Sequence, residues 1–275
     1  LLIHISTAFL FYLLLSKYIY NRTYIAVIPT QVGIQSEKQK NGFPLNDRGN
    51  DKEEVFPEQN VIARKDKSLA AILAASLFLL HPINTESVTY ISSRSSVLSA
   101  FFILVSMLCF FKATESKFKI PSYLFGILFF ILGLSTKEAA IVTPALILLF
   151  DVYFVSNNIK NLKSRLKYHL PFWIIVAAGF SYYSVYITGT VMRMRPWSVH
   201  IFTELKVFVE YLRLLILPFG LNIDHTVKAS TSFDLSVVIS VMIIAGLMLY
   251  AIFLKNKNKV LSFSILWFFI NLTPF

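Results

Sequence analysis

The sequence predicts an all-α fold: a polytopic bundle of transmembrane helices, with about eight spans plus one re-entrant or interfacial helix. Three observations predict it. Of 275 residues, 56% are apolar and 26 are Phe, and the mean hydropathy is +0.63, more apolar surface than a soluble domain of this size needs. The apolar residues gather in repeated runs of about 15–20, the length that crosses hydrocarbon. Lys and Arg fall in short stretches between those runs, the pattern of topology signals, so the net charge of +11 does not point to nucleic acid, and no basic stripe with interleaved aromatics is present. The one cysteine, Cys109, lies inside an apolar run and excludes an intrachain disulfide.

The first span is expected at 1–18. It starts at full hydrophobicity without Met, charged leader or cleavage site, and the last span, 260–275, stops within an apolar run. The chain therefore reads as a fragment of a longer protein. Residues 21–67 break the pattern. They are polar, lack periodicity and are expected to be a disordered cytoplasmic insert. "VIPTQVGIQ" and "PLNDRGNDK" resemble translated palindromic repeats of bacterial genomes. Val27-Ile28-Pro29-Thr30 can be encoded GTC ATT CCC ACG, whose reverse complement, CGT GGG AAT GAC, encodes Arg48-Gly49-Asn50-Asp51. An in-frame insertion of a mobile DNA hairpin into a short loop accounts for both; a gene lacking the inverted repeat at these codons excludes it.

Further spans are expected at 68–81, 97–112, 120–135, 138–155, 170–190 and 235–254. Basic residues concentrate in 112–119, 155–169 and 255–259, and in the insert. All four segments lie on the cytoplasmic side if 206–220 does not cross. Residues 82–96, 135–138 and the loop 191–234 then share the extracytoplasmic side. Lys206, Glu210 and Arg213 fall at i, i+4, i+7, one charged stripe on an otherwise apolar helix, which suits an in-plane helix at 206–220. The alternative is a buried span whose charges face the bundle.

Four polar stretches carry the candidate chemistry. In "HPINTESVTYISSRSS", 81–96, Pro82 suits a first helical turn with Asn84 or Thr85 as cap. Glu86, Tyr90 and Arg94 follow at i, i+4, i+8, so one helix face presents a carboxylate, a phenol and a guanidinium beside His81, able to bind hydroxyls and an anion. The plain alternative is a span end with interfacial residues. In "STKEAA", Ser135 and Glu138 have capping-box spacing, leaving Lys137 at the interface to snorkel or bind a phosphate. In "GTVMRMRPWSVH", Arg193 and Arg195 sit beside Trp197. Arginine matches phosphate geometry, although headgroup contact and an aromatic anchor also suffice. In "LPFGLNIDHTVKAS", Asp224 next to His225 offers a base, a metal pair or a turn; without further ligands no metal is expected. No phosphate-binding loop, nucleophile elbow or zinc-protease motif occurs.

Together these stretches resemble a known family. Leu77 to Phe101 approximates "LLFxLHPxxTExVxxIxxRxxxLxxxF". "GLSTKEAAIVTPALILLFD" at 133–151, "RPW" at 195–197 and "YLRLLILPFGLNIDH" at 211–225 follow in order. The order is similar to the membrane half of transmembrane-and-tetratricopeptide-repeat proteins and their bacterial relatives in the GT-C glycosyltransferase superfamily, which includes protein O-mannosyltransferases. The likeness covers nearly the whole chain except 21–67. Relatives often carry His where this chain has Asn84, and an acid where it has Ser96.

The resemblance implies a bacterial inner-membrane enzyme that transfers a sugar from a polyprenyl-phosphate carrier to an extracytoplasmic acceptor, protein or glycan, with inversion. It implies no cofactor beyond that lipid-linked donor. The general base, an acid of the family's first external loop, is expected upstream of Leu1, and a tetratricopeptide array downstream of Phe275. Arg193, Arg195, Arg94 and Lys137 are the expected carrier-phosphate ligands. His81, Glu86, Tyr90, Asp224 and His225 are expected to line the sugar or acceptor cavity. The main alternative is a non-catalytic membrane anchor for a repeat domain. A transporter needs polar groups at mid-membrane depth, and a polymerase or ligase of external polysaccharide lacks these ordered motifs.

Overall fold

The computed structural model describes residues 2–16, 57–85, 89–90, 93–115, 119–156, 159–186, 196–221, 229–230 and 233–273. Among them there is no strand; nine α-helices occur. They are α1 (Leu2–Leu13), α2 (Pro57–Leu80), α3 (Arg94–Glu115), α4 (Lys119–Thr136), α5 (Thr143–Phe150), α6 (Ile159–Tyr186), α7 (Trp197–Ile216), α8 (Leu235–Leu254) and α9 (Lys259–Leu272). A 3₁₀ turn, Pro82–Asn84, follows α2; another, Glu138–Val142, leads into α5; and α5 continues as a π-helical segment, Asp151–Val155.

Among the described residues, three helical stretches are long and apolar enough to cross a membrane: Arg94–Thr114, Glu138–Val155 and Leu235–Leu254. Four apolar stretches are shorter: Leu2–Ser16, Leu69–Leu80, Ile120–Thr136 and Lys259–Leu272. α8 shows what kind of surface this is. Leu235, Met242, Leu249, Ile252 and Phe253 are all more than half exposed, an apolar face that water disfavours and lipid accepts.

Several element boundaries differ from those expected. Pro57 opens α2, so residues 57–67 are helical, whereas residues 21–56 of the expected insert lie outside the described residues. The basic stretch 155–169 is mostly helix: α6 begins at Ile159 and runs through Pro171 as one rod. The helix expected at 206–220 begins at Trp197 and stops at Ile216. Pro218 and the left-handed Gly220, φ 73°, are what prevent its continuation.

α3 and α4 form the most extensively packed pair, with α1 on the other side of α3. Small residues allow the close approach: Ser106 Oγ donates to the Gly126 carbonyl at 2.7 Å. A Cβ built on Gly126 would lie 3.3 Å from the Ser106 carbonyl oxygen. This is how helices associate when lipid removes the hydrophobic drive between them. α5 sits centrally, against α3, α6 and α9. Rings tie these helices together: Phe130 to Phe172 at 5.4 Å, Phe110 to Phe172 at 5.8 Å, Phe111 to Phe150 at 4.2 Å and Phe150 to Phe263 at 5.8 Å. Each of these rings is almost fully buried; edge and offset contacts of this kind add to their burial.

The helices share two ends. At one, the end of α2 meets α7, and α4 meets the start of α3. At the other lie the α3–α4 turn, the π segment, the start of α6 and the α8–α9 turn, where Lys255 Nζ stands 5.9 Å over the Tyr153 ring. α7 touches the first end along its whole length. Phe202 packs on Phe233, Thr203 accepts from the Ser230 N–H at 3.2 Å, Phe208 stacks on Phe269 at the end of α9, and Leu215 reaches His81.

Candidate functional site

The first end gathers the stretches that carried the chemistry in the sequence. Lys137 follows the last residue of α4 and is the N-cap of the next 3₁₀ turn. Its Nζ donates to Ser96 Oγ at 2.8 Å, in the first turn of α3. "STKE" and the end of the 81–96 stretch are therefore in contact. Arg94, exposed, opens the same helix. Two cations thus stand beside a helix N-terminus whose first turn holds no acid. The helix dipole makes that an unfavourable place for positive charge and a favourable one for an anion.

His81 caps a turn and ties two helix ends together. Its Nδ1 accepts from the Ile83 N–H at 3.2 Å, capping the 3₁₀ turn that Pro82 begins. Its Nε2 lies 3.1 Å from the Leu215 carbonyl. A ring that accepts at Nδ1 donates at Nε2, so both nitrogens are engaged by backbone. His81 is the cap that was expected of Asn84 or Thr85; Asn84 instead turns back and donates from Nδ2 to the Phe78 carbonyl. The imidazole joins the end of α2 to the end of α7.

Two further expectations change. Tyr90 lies outside any helix and Arg94 starts a new one, so they do not share one continuous helical face. The serine-rich "SSRSS" accounts for the break, because serine side chains bond nearby backbone and favour helix starts over interiors. Nor does the capping box form. Ser135 Oγ donates back to the Ile131 carbonyl at 2.9 Å, Lys137 has no side-chain cap bond, and Glu138 is exposed. The helix extends one residue past Ser135, to Thr136, and that removes Ser135 from the capping position. Glu86, Arg193, Arg195, Asp224 and His225 lie outside the described residues.

α7 closes this end. Arg213 grips Glu210 with Nε, 2.9 Å from Oε2, and with Nη2 on Oε1, while Nη1 reaches the Phe219 carbonyl at 3.3 Å. The Glu210 carboxylate raises the Arg213 guanidinium above its ordinary range. Arg213 is thereby committed to holding the turn after α7.

One polar cluster had no counterpart in the expectations, and it lies at the opposite end. Asp151 is completely buried at the start of the π segment. Its Oδ1 accepts from Ser156 Oγ at 2.7 Å; its Oδ2 receives Arg165 Nε at 3.0 Å and lies 2.8 Å from His169 Nε2. Arg165 and His169 are i, i+4 on α6 and so share a face. That spacing, with an Asp closing an apolar run, was the available signal. Buried acids in apolar bundles are costly unless paired and hydrogen-bonded, and this one accepts three such bonds.

No protein-family model matches the chain, and neither the curated proteins nor the solved structures provide a match.

Proposed function

We propose that the chain is the membrane core of a GT-C-type glycosyltransferase that moves a sugar from a polyprenyl-phosphate carrier to an extracytoplasmic acceptor. The observation that carries the reading is the Lys137–Ser96 contact. It joins two of the ordered motifs at one end of the bundle, beside Arg94. That end is the extracytoplasmic one in the orientation set by Lys and Arg, with α7 in the interface and about eight helices crossing.

In this reading the acceptor hydroxyl forms a bond to the anomeric carbon while the carbon–oxygen bond to the carrier phosphate breaks. The phosphate leaves with the electron pair, and the acceptor proton passes to a carboxylate that acts as general base. Lys137, Arg94, and Arg193 and Arg195 from the adjoining segment stabilise the departing phosphate. Ser96 Oγ accepts from the Lys137 ammonium and helps to hold it at this end of the bundle.

Polyprenyl-phosphate binding by the full-length protein in phosphatidylcholine nanodiscs tests this. Lys137→Ala and Arg94→Ala are each expected to weaken binding by about tenfold, the loss of one charge-assisted bond, with thermal stability retained. Wild-type binding no better than to phosphatidylcholine, or unchanged affinity in both variants, overturns it.

A further inference from the structure

The opposite end carries a cavity that the proposed transfer does not use. It has a volume of about 300 Å³ and opens between α3, α4 and α6. Phe110, Tyr123 and Tyr168 supply aromatic walls, Ile120 the exposed rim, and Thr114 and Arg165 polar atoms. Among the described residues that line it there is no carboxylate. Asp151 lies behind Arg165, and its oxygens are taken by Ser156, Arg165 and His169.

Arg165 is the informative residue. Asp151 uses only Nε. Nη2 is buried and has no hydrogen-bond partner, a costly state for a guanidinium N–H. The carboxylate fixes the guanidinium plane, and the side chain, 21% exposed, forms part of the cavity wall. Around it the charge is positive. Lys112, Lys163 and Lys167 are exposed on the same helix ends, and Lys167 Nζ stands 5.2 Å over the Tyr168 ring at the cavity's edge. Tyr123 donates its hydroxyl proton to the Tyr168 carbonyl at 2.8 Å, which holds two cavity walls together. The Thr114 hydroxyl, now on the Phe111 carbonyl at 2.7 Å, is a rotor that can turn toward an incoming oxyanion.

We infer that this cavity is a phosphate-binding site, with Arg165 as the principal ligand, for a phosphate-headed lipid of the adjoining leaflet or for the free ion. An oxyanion fills only part of the space, and the aromatic remainder suits the glycerol and first methylenes of a lipid. In the orientation set by Lys and Arg this is the cytoplasmic end, where the leaflet is anionic and each surface lysine adds attraction. The site is independent of the sugar transfer at the other end.

The test uses the purified protein in phosphatidylcholine nanodiscs, with short-chain phosphatidic acid and inorganic phosphate as separate probes, read by native mass spectrometry and thermal shift. Saturable binding of phosphatidic acid is expected, reduced at least about tenfold by Arg165→Lys, which keeps the charge and loses the fork. Ala113→Leu, which fills the cavity without touching Asp151, is expected to abolish binding while Tm holds, and so covers the case in which Arg165 variants misfold. Competition by millimolar inorganic phosphate assigns the site to the phosphate group itself; binding of the lipid alone assigns it to the headgroup; both support the inference. Binding unchanged by Ala113→Leu, or no preference for either probe over phosphatidylcholine, overturns it. Lys137→Ala leaves this binding unchanged, which separates it from the carrier site.

Discussion

Asp151 and His169 are 2.8 Å apart, both almost wholly shielded, and they join the end of one apolar rod to the flank of another. Arg165 shares the same carboxylate oxygen at 3.0 Å. The charge of Asp151 is thus balanced by a cation from a helix fourteen residues on, and the two must assemble together.

Removing one partner of such a pair strands the other. Asp151→Asn is expected to lower stability by on the order of 3 kcal/mol, because the Arg165 charge is left uncompensated. The double variant Asp151→Asn with Arg165→Gln should recover part of the loss. Thermal unfolding in detergent measures both. A double variant that is less stable than either single one would falsify the pairing.

His81→Ala removes a cap and the tie to Leu215, and is expected to cost about 1–2 kcal/mol. Amide exchange at Ile83 should rise, and carrier affinity per folded molecule should not move. The opposite pattern, weakened carrier binding with stability intact, would return His81 to the cavity wall.

Asp234 caps α8: its Oδ1 accepts from Ser236 Oγ at 2.7 Å and from the Val237 N–H at 3.0 Å. The Ser236 hydroxyl first, then the Val237 amide, hold its carboxyl below the usual carboxylate range. A depressed value means that the cap is at full strength above the unfolded value of about 3.9 and is lost as pH falls through the lower folded one. Protection of the Val237 amide is expected to persist as pH falls through the unfolded carboxylate value, to be lost only at lower pH, and to be absent at all pH values in Asp234→Ala. Equal protection in that variant and the wild type would remove the cap from the account.

Much of the fold was legible because apolar runs and their basic punctuation are dictated by the solvent itself. The ends at which "HP" and "STKE" meet followed from that alone, and Lys137 on Ser96 agrees with it. What local spacing could not supply was continuity. Glu86, Tyr90 and Arg94 fit an i, i+4, i+8 face only if the helix persists, and the serines interrupt it. Ser135 fits a capping box only if α4 stops there, and it runs one residue longer. The Asp151 cluster was hidden for the reverse reason. Arg165 and His169 looked like loop charge until α6 was seen to begin at Ile159. The carboxylate they serve lies on a segment whose turn is not α-helical.

That segment has an angular consequence. Where hydrogen bonds reach from Ser156 N to the Asp151 carbonyl, 2.8 Å, the chain takes five residues for a step that an α-helix makes in four. Each residue therefore rotates less about the axis. Asp151, Tyr153, Phe154 and Ser156 are all shielded, because the rod they continue is packed on several sides. The extra residue works as a phase shift. It lets a single rod point rings at α9, a phenol at Ser262 2.7 Å away and a carboxylate at α6, without a kink and without a loop.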